Sequence, residues 1–158
     1  MLQSMTLSLE DAKRVAAAAR AEAEKNGWAV VIAVLDDGGH LMYLERMDGA
    51  QKASSKIAEK KGRTAILFKR PTKAIEQTVL QDRVSMLGLP GAVPLDGGVP
   101  LVKDGQYVGG IGVSGVQSSQ DGIVAQAGAA ACEPFYCSRF GYCPVASLMR
   151  TQRFPSNR

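Results

Sequence analysis

The sequence contains a single histidine, three cysteines and few aromatic residues, which make up 6% of the chain. Cys132, Cys137 and Cys143 all lie near the C-terminus, form no Cys-x-x-Cys pair and are far from His40. An odd number of cysteines argues against a disulfide framework, and their spacing gives little support to a zinc site. The pattern is typical of a protein in a reducing cytoplasm.

Long apolar runs are also absent. No stretch approaches the roughly 18 apolar residues that a membrane-spanning helix needs, and the N-terminus has no charged segment followed by an apolar core. We therefore expect a cytoplasmic protein that does not enter a membrane. The length of 158 residues and the hydrophobic content of 46% fit one globular core. We place this domain at residues 1–132, followed by an extension, 133–158, whose structure the pattern leaves open.

Positive charge is concentrated in one stretch that has a single acidic residue, Glu59. Lys52, Lys56 and Lys60 recur at helical spacing, which is typical of a solvated helix face, and no aromatic platform accompanies them. A nucleic-acid partner is therefore not expected. The alternative is that this basic stretch is a surface that contacts another protein. Its basic residues are Lys52, Lys56, Lys60, Lys61, Arg63, Lys69, Arg70 and Lys73.

Caps, turn residues and apolar periodicity predict eight elements in the order αββααββα. The first helix extends from Ser8 to about Asn26, because Ser8 and Asp11 resemble an N-terminal cap and Gly27 ends the helix. The other predicted elements are strands 28–35, 40–46, 99–103 and 106–114 and helices 50–68 and 72–82, the second of which is capped by Thr72. A last helix is capped by Ser118 with Asp121 and ends at Ala131.

Four strands in two hairpins favour one α/β domain with a mainly antiparallel sheet and flanking helices. The glycines of Gly109–Gly115 lie within a predicted strand, whereas a phosphate-binding loop lies between a strand and a helix. We expect these glycines to let a helix or a neighbouring subunit approach the sheet closely. Ser114, near the end of the strand, is a candidate ligand contact.

The segment Met86–Gly98 is dense in glycine and proline, which predicts a loop rather than a regular helix or a central strand. Ordering each backbone residue costs about 1–2 kcal/mol, so a loop of this length in a small domain usually has a function. Its candidate ligand-binding residues are Leu89, Pro90, Gly91, Gly97 and Gly98.

His40 is the other candidate site residue. An imidazole is a strong nitrogen ligand for haem iron and can exchange a proton near neutral pH. A structural interpretation is that His40 hydrogen-bonds the turn formed by Asp36 and Asp37. In a catalytic interpretation His40 is a general acid or base, and Arg46 binds a substrate carboxylate. Arg46 could equally pair with an acidic neighbour at the surface.

Several segments in order resemble the family of GlcG and the haem-binding protein HbpS, which includes the C-terminal domain of PduO-type adenosyltransferases. The similarity spans roughly residues 6–131. It is carried by Val34–Leu41, Glu45–Ala50, Lys60–Thr64, Phe68, Pro71–Thr72, Leu89–Gly91, Gly97–Pro100, Gly110–Gly115 and Gln120–Asp121.

The resemblance implies a profilin-like α/β domain that assembles into homo-oligomers. It also implies a small-molecule or haem-binding protein, accessory to catabolism of small organic acids, with His40 and the Gly88–Gly98 loop lining the pocket. His40 would then be the ligand of haem iron. Two alternatives stay open: an enzyme acting on a small organic acid through His40 and Arg46, and a protein-interaction module. Whether any reaction is catalysed is left open by the sequence.

Overall fold

A computed structural model describes residues 5–132, so Cys137, Cys143 and the rest of the C-terminal extension lie outside the described residues. The predicted order of helices and strands is confirmed, with one short 3-10 helix added. The elements are α1 (Leu9–Asn26), β1 (Val31–Asp36), β2 (Leu41–Arg46), α2 (Ser54–Leu67), α3 (Thr72–Leu80), the 3-10 helix Val84–Gly88, β3 (Gly98–Lys103), β4 (Gln106–Ser114) and α4 (Ser118–Ala130).

The four strands form one sheet in the order β2-β1-β4-β3, and each neighbouring pair is antiparallel. The α/β fold with an antiparallel sheet is therefore confirmed. Asp36 pairs with Gly109 and Val31 pairs with Ser114, which sets the direction of β4 against β1. Both hairpin turns consequently lie at one end of the sheet. The start of β3 and the ends of β2 and β4 lie at the opposite end.

Strand β1 is buried on both faces, which explains its uninterrupted apolar sequence. Ile32 and Val34 belong to the larger core cluster, which includes Val15 of α1 and Val124 of α4. The other face of β1 packs in a smaller cluster with Ala58 of α2. Helices thus cover the two faces of the sheet. Within residues 5–132, no helix is both long and apolar enough to cross a membrane.

Helix α2 lies directly against β4, as the glycines of this strand predicted. A methyl group added to Gly112 would overlap the carbonyl oxygen of Ala58 and the amide nitrogen of Gly62. Gly62 has the reciprocal contact, because a methyl group there would lie 2.9 Å from the amide nitrogen of Gly112. The expected close approach of a helix is therefore confirmed, and it brings the side chains of α2 over the sheet.

Three local predictions meet different outcomes. Ser8 and Asp11 form the predicted capping box of α1. Thr72 is the first residue of α3 and not its cap, and its hydroxyl accepts a hydrogen bond from the amide of Gly98 at 2.8 Å. Helix α4 is capped by Gln117 with Gln120, so the predicted cap by Ser118 with Asp121 was wrong. The side chains of Thr72 and Asp121 instead contact residues far away in sequence, which local patterns do not reveal.

Candidate functional site

His40 lies at the tip of the β1–β2 hairpin, where 76% of its side chain is exposed. Asp36 Oδ1 accepts hydrogen bonds from the backbone amides of Gly38 and His40 at 2.9 and 2.8 Å. The same oxygen lies 3.3 Å from Nδ1 of His40. The predicted contact between His40 and the turn is therefore confirmed. With Nδ1 facing a carboxylate, Nε2 is the ring nitrogen that the pair presents to a ligand.

The charge of Asp36 is stabilised by this arrangement. Partial burial acts to raise the pKa of Asp36, but the amide of His40, the charge of its imidazole and the amide of Gly38 outweigh it. The net pKa therefore lies below the usual value of 3.8. Asp36 stays ionised at neutral pH and can hold the proton of the imidazole on Nδ1.

Two side chains of α2 flank the hairpin tip. Nη1 of Arg63 donates a hydrogen bond to the carbonyl oxygen of Gly39 at 3.3 Å. A methyl group on Gly39 would lie 3.5 Å from Leu67, whose side chain is half exposed. The guanidinium and an apolar side chain therefore lie beside Gly39, and the imidazole lies beside Gly38, where an added methyl group would be 2.9 Å from Nδ1 and Cε1 of His40. We refer to Asp36, His40, Arg63 and Leu67 as the hairpin-tip site.

The predicted glycine loop is anchored to α2 by threonine. The hydroxyl of Thr64 accepts a hydrogen bond from the amide of Val93 at 3.0 Å and lies 3.5 Å from the carbonyl oxygen of Gly91. Gly88 and Pro90 are exposed, whereas Gly97 and Gly98 are buried where β3 begins. The first residues of the predicted loop belong to the 3-10 helix. Part of the loop therefore serves as packing between α2 and the sheet.

The structure does not bring all of the predicted site residues together. Strand β2 has six residues, and a strand rises about 3.4 Å per residue, so His40 and Arg46 are separated by roughly 20 Å. Gly98 and Ser114 lie at the same end of the sheet as Arg46, because β3 begins and β4 ends there. Within one chain, His40 thus does not share a pocket with these three residues.

Arg46 lines a cavity of about 510 Å³ beside the end of β2. The carboxylate of Glu45 is already held there, by Arg20 at 2.9 Å and by the hydroxyl of Tyr43 at 3.1 Å. The hydrogen bond to Glu45 is the main cause that raises the pKa of Tyr43. The cavity is lined by Arg20, Tyr43, Glu45, Arg46, Met47 and Asp48. It contains both signs of charge but no imidazole.

Ser114 is buried, and its hydroxyl donates to the hydroxyl of Ser54 in α2 at 3.3 Å. This contact ties the end of β4 to the start of α2. A ligand would have to displace packed side chains to reach it.

A buried ion pair that the sequence did not predict connects α2 with α4. Nζ of Lys61 lies 2.9 Å from Oδ2 of Asp121, and the two side chains are only 2% and 3% exposed. The other oxygen of Asp121 accepts a hydrogen bond from the amide of Val116 at 3.2 Å. Burial raises the pKa of Asp121, although Lys61 and the Val116 amide oppose this effect. The pair joins α2, α4 and the end of β4 out of contact with water.

Gly97 and Asp96 complete this buried cluster. A methyl group on Gly97 would lie 2.9 Å from Nζ of Lys61 and 2.6 Å from the carbonyl oxygen of Val113, so a side chain does not fit. Asp96 accepts a hydrogen bond from the amide of Gly97 at 2.8 Å and lies 3.9 Å from Nζ of Lys73. The backbone carbonyl of Val113 and the positive φ of 122° at Gly97 are therefore sufficient to explain the glycine at this position.

The sequence carried one signal for the buried lysine. Ala58 and Ala65 precede and follow Lys61 by three and four residues, so the three share the buried face of α2. Asp121 had no local signal, since its partner is 60 residues away. The same holds for Arg63 and Leu67, which meet the hairpin tip only through the packing of α2.

Residues 7–130 match the family model described as haem degrading protein HbpS-like. The chain belongs to the HbpS-like family. Protein GlcG of Escherichia coli (strain K12) is 45% identical over 114 residues, which cover 72% of this chain and 85% of GlcG. The resemblance read from the sequence motifs is thus confirmed.

Solved structures of HbpS-like proteins share the fold. A double mutant of Streptomyces reticuli HbpS has a TM-score of 0.75 at 37% identity, over 82% of this chain and 89% of that one. The PduOC:Heme complex has a TM-score of 0.72 at 30% identity, over 80% of this chain and 95% of that one. The matched region of this HbpS-like chain includes the hairpin-tip site and the buried ion pair.

Proposed function

We propose that this HbpS-like protein binds haem at the hairpin-tip site, with Nε2 of His40 as the ligand of the iron. The observation that carries the proposal is the pairing of Nδ1 of His40 with the carboxylate of Asp36 at 3.3 Å. Metal-binding histidines commonly donate their other ring N–H to a carboxylate, which fixes the tautomer and makes the ligating nitrogen more basic. The haem complex of a relative, PduOC, supports the choice of ligand.

The surroundings of His40 fit a haem better than a bare ion. Among residues 5–132, no three histidine, cysteine, aspartate or glutamate side chains cluster to hold a metal. Haem iron already has four nitrogen ligands from its porphyrin, so one imidazole from the protein is sufficient. When bound, haem supplies an iron centre that can change its oxidation state. Leu67, half exposed beside Gly39, offers an apolar surface near the residue that precedes His40 for the macrocycle.

Titration of the purified protein with haemin tests the proposal. We expect the Soret band to shift and intensify with the wild-type protein, and this change to be lost or strongly weakened in His40→Ala. The matched control is Gln106→Ala, which changes an exposed residue of the other hairpin at the same end of the sheet. An identical spectrum and affinity in His40→Ala would remove His40 as the iron ligand.

The geometry does not support an enzyme acting on organic acids, because the acid–base residue His40 and the carboxylate anchor Arg46 lie at opposite ends of β2.

We further propose that the protein is a cytoplasmic homo-oligomer. Large exposed side chains at Leu80, Val84 and Leu87 support an interface between copies. A light-scattering mass equal to one chain would exclude the oligomer. An accessory role in organic-acid catabolism stays a prediction, which a deletion strain that grows normally on such acids would refute.

A further inference from the structure

The guanidinium of Arg63 has binding capacity that the protein itself does not use. It donates to the carbonyl oxygen of Gly39, whereas a guanidinium has five N–H donors. The ion pairs found among residues 5–132 do not include Arg63. A cation with unused donors thus contacts Gly39, the residue that precedes His40 in the chain.

Both acidic side chains of the hairpin turn have hydrogen-bond donors of their own. Oδ1 of Asp36 contacts the imidazole of His40 and accepts from the amides of Gly38 and His40. Asp37 accepts a hydrogen bond from the hydroxyl of Thr6 at 3.0 Å. A second cation lies at the same end of the sheet, where Nζ of Lys69 is 5.6 Å from the centre of the Tyr107 ring.

We infer that Arg63 binds a propionate of the tetrapyrrole, so that the hairpin-tip site selects porphyrins with free carboxylates over their esters. This inference rests on the proposed haem binding. The site presents a nitrogen ligand beside Gly38 and an apolar side chain and an anion-binding guanidinium beside Gly39, and haem presents iron, an apolar macrocycle and two carboxylates. Arginine binds carboxylates through two parallel N–H donors, which lysine cannot reproduce.

A purely structural role for Arg63 makes a different prediction. Its hydrogen bond to Gly39 also holds the hairpin against α2, so loss of the side chain could displace His40. In that case every ligand of the imidazole would bind more weakly, whether or not it carries carboxylates. Comparing haemin with haemin dimethyl ester separates the two roles, since both carry the same iron and macrocycle and only haemin has ionised carboxylates.

The experiment titrates the full-length wild type, Arg63→Gln and Arg63→Lys with haemin and with its dimethyl ester, in the same detergent, following the Soret band. We expect Arg63→Gln to weaken binding of haemin about tenfold, as for a lost hydrogen bond to a charged group. Binding of the ester should change less than about twofold. Arg63→Lys should recover part of the loss. Lys60→Gln, at an exposed position of the same helix, is the control.

Other outcomes overturn the inference in distinguishable ways. Equal weakening of both ligands by Arg63→Gln would assign the residue a structural role, and urea unfolding curves would register the same defect. Equal affinity of wild type and Arg63→Gln for haemin would show that no propionate is bound there. If His40→Ala binds both porphyrins as the wild type does, the proposed function itself fails.

Discussion

Replacement of Lys61 by methionine is expected to destabilise the domain strongly. The substitution keeps an unbranched side chain of similar length but removes the cation that lies 2.9 Å from Asp121. Asp121 would then be buried at 3% exposure with only the Val116 amide as an observed donor. Breaking one side of a buried ion pair costs about 3–5 kcal/mol. This is a large part of the roughly 5–15 kcal/mol by which domains are stable.

The loss of stability in Lys61→Met should depend on pH. Burial already raises the pKa of Asp121 above 3.8, and loss of Lys61 removes an opposing effect. A carboxyl whose pKa is raised by folding binds more protons in the native state, so its contribution to stability is lost as pH rises through that pKa. The deficit of Lys61→Met relative to wild type should therefore be larger at pH 7 than at pH 4.

Urea unfolding followed by the fluorescence of Trp28, the single tryptophan, measures the effect. The neighbouring exposed residue provides the control, because Lys60→Met should change the free energy of unfolding by less than about 0.5 kcal/mol. The double variant Lys61→Met/Asp121→Asn should lose less stability than Lys61→Met, since no buried charge is left unpaired. A loss below about 1 kcal/mol in Lys61→Met, or no recovery in the double variant, would refute the reasoning.

Two further predictions concern the haem site and the packing of α2. Asp36→Asn keeps the oxygen that accepts the turn amides but removes the charge facing Nδ1 of His40, so affinity for haemin should fall about 10–100-fold in a Soret titration. An unchanged affinity would show that Asp36 does not tune the imidazole. Gly112→Ala places a methyl group against backbone atoms of α2 and should lower the free energy of unfolding by about 1–3 kcal/mol or more. Gly88→Ala, where a methyl group meets nothing within 4 Å, should be nearly neutral, and equal thermal unfolding of the two variants would contradict the packing argument.

Local chemistry was sufficient to predict most of the secondary structure. Ser8, Asp11 and Gly27 define the ends of α1 because capping and termination depend on residues within one turn. Strand β4 has the predicted bounds, Gln106–Ser114, since its turn and its apolar run are also continuous in sequence. The antiparallel sheet followed from the two hairpins. The predicted domain boundary at residue 132 stays a prediction.

The sequence by itself thus determined the elements, their order and the turn that holds His40, because these depend on neighbours along the chain. The tertiary structure alone decided which side chains meet. Sheet order placed His40 and Arg46 at opposite ends, and the packing of α2 against β4 buried Lys61 beside Asp121 while it carried Arg63 to the hairpin tip. Such contacts join residues tens of positions apart, and no local pattern specifies them.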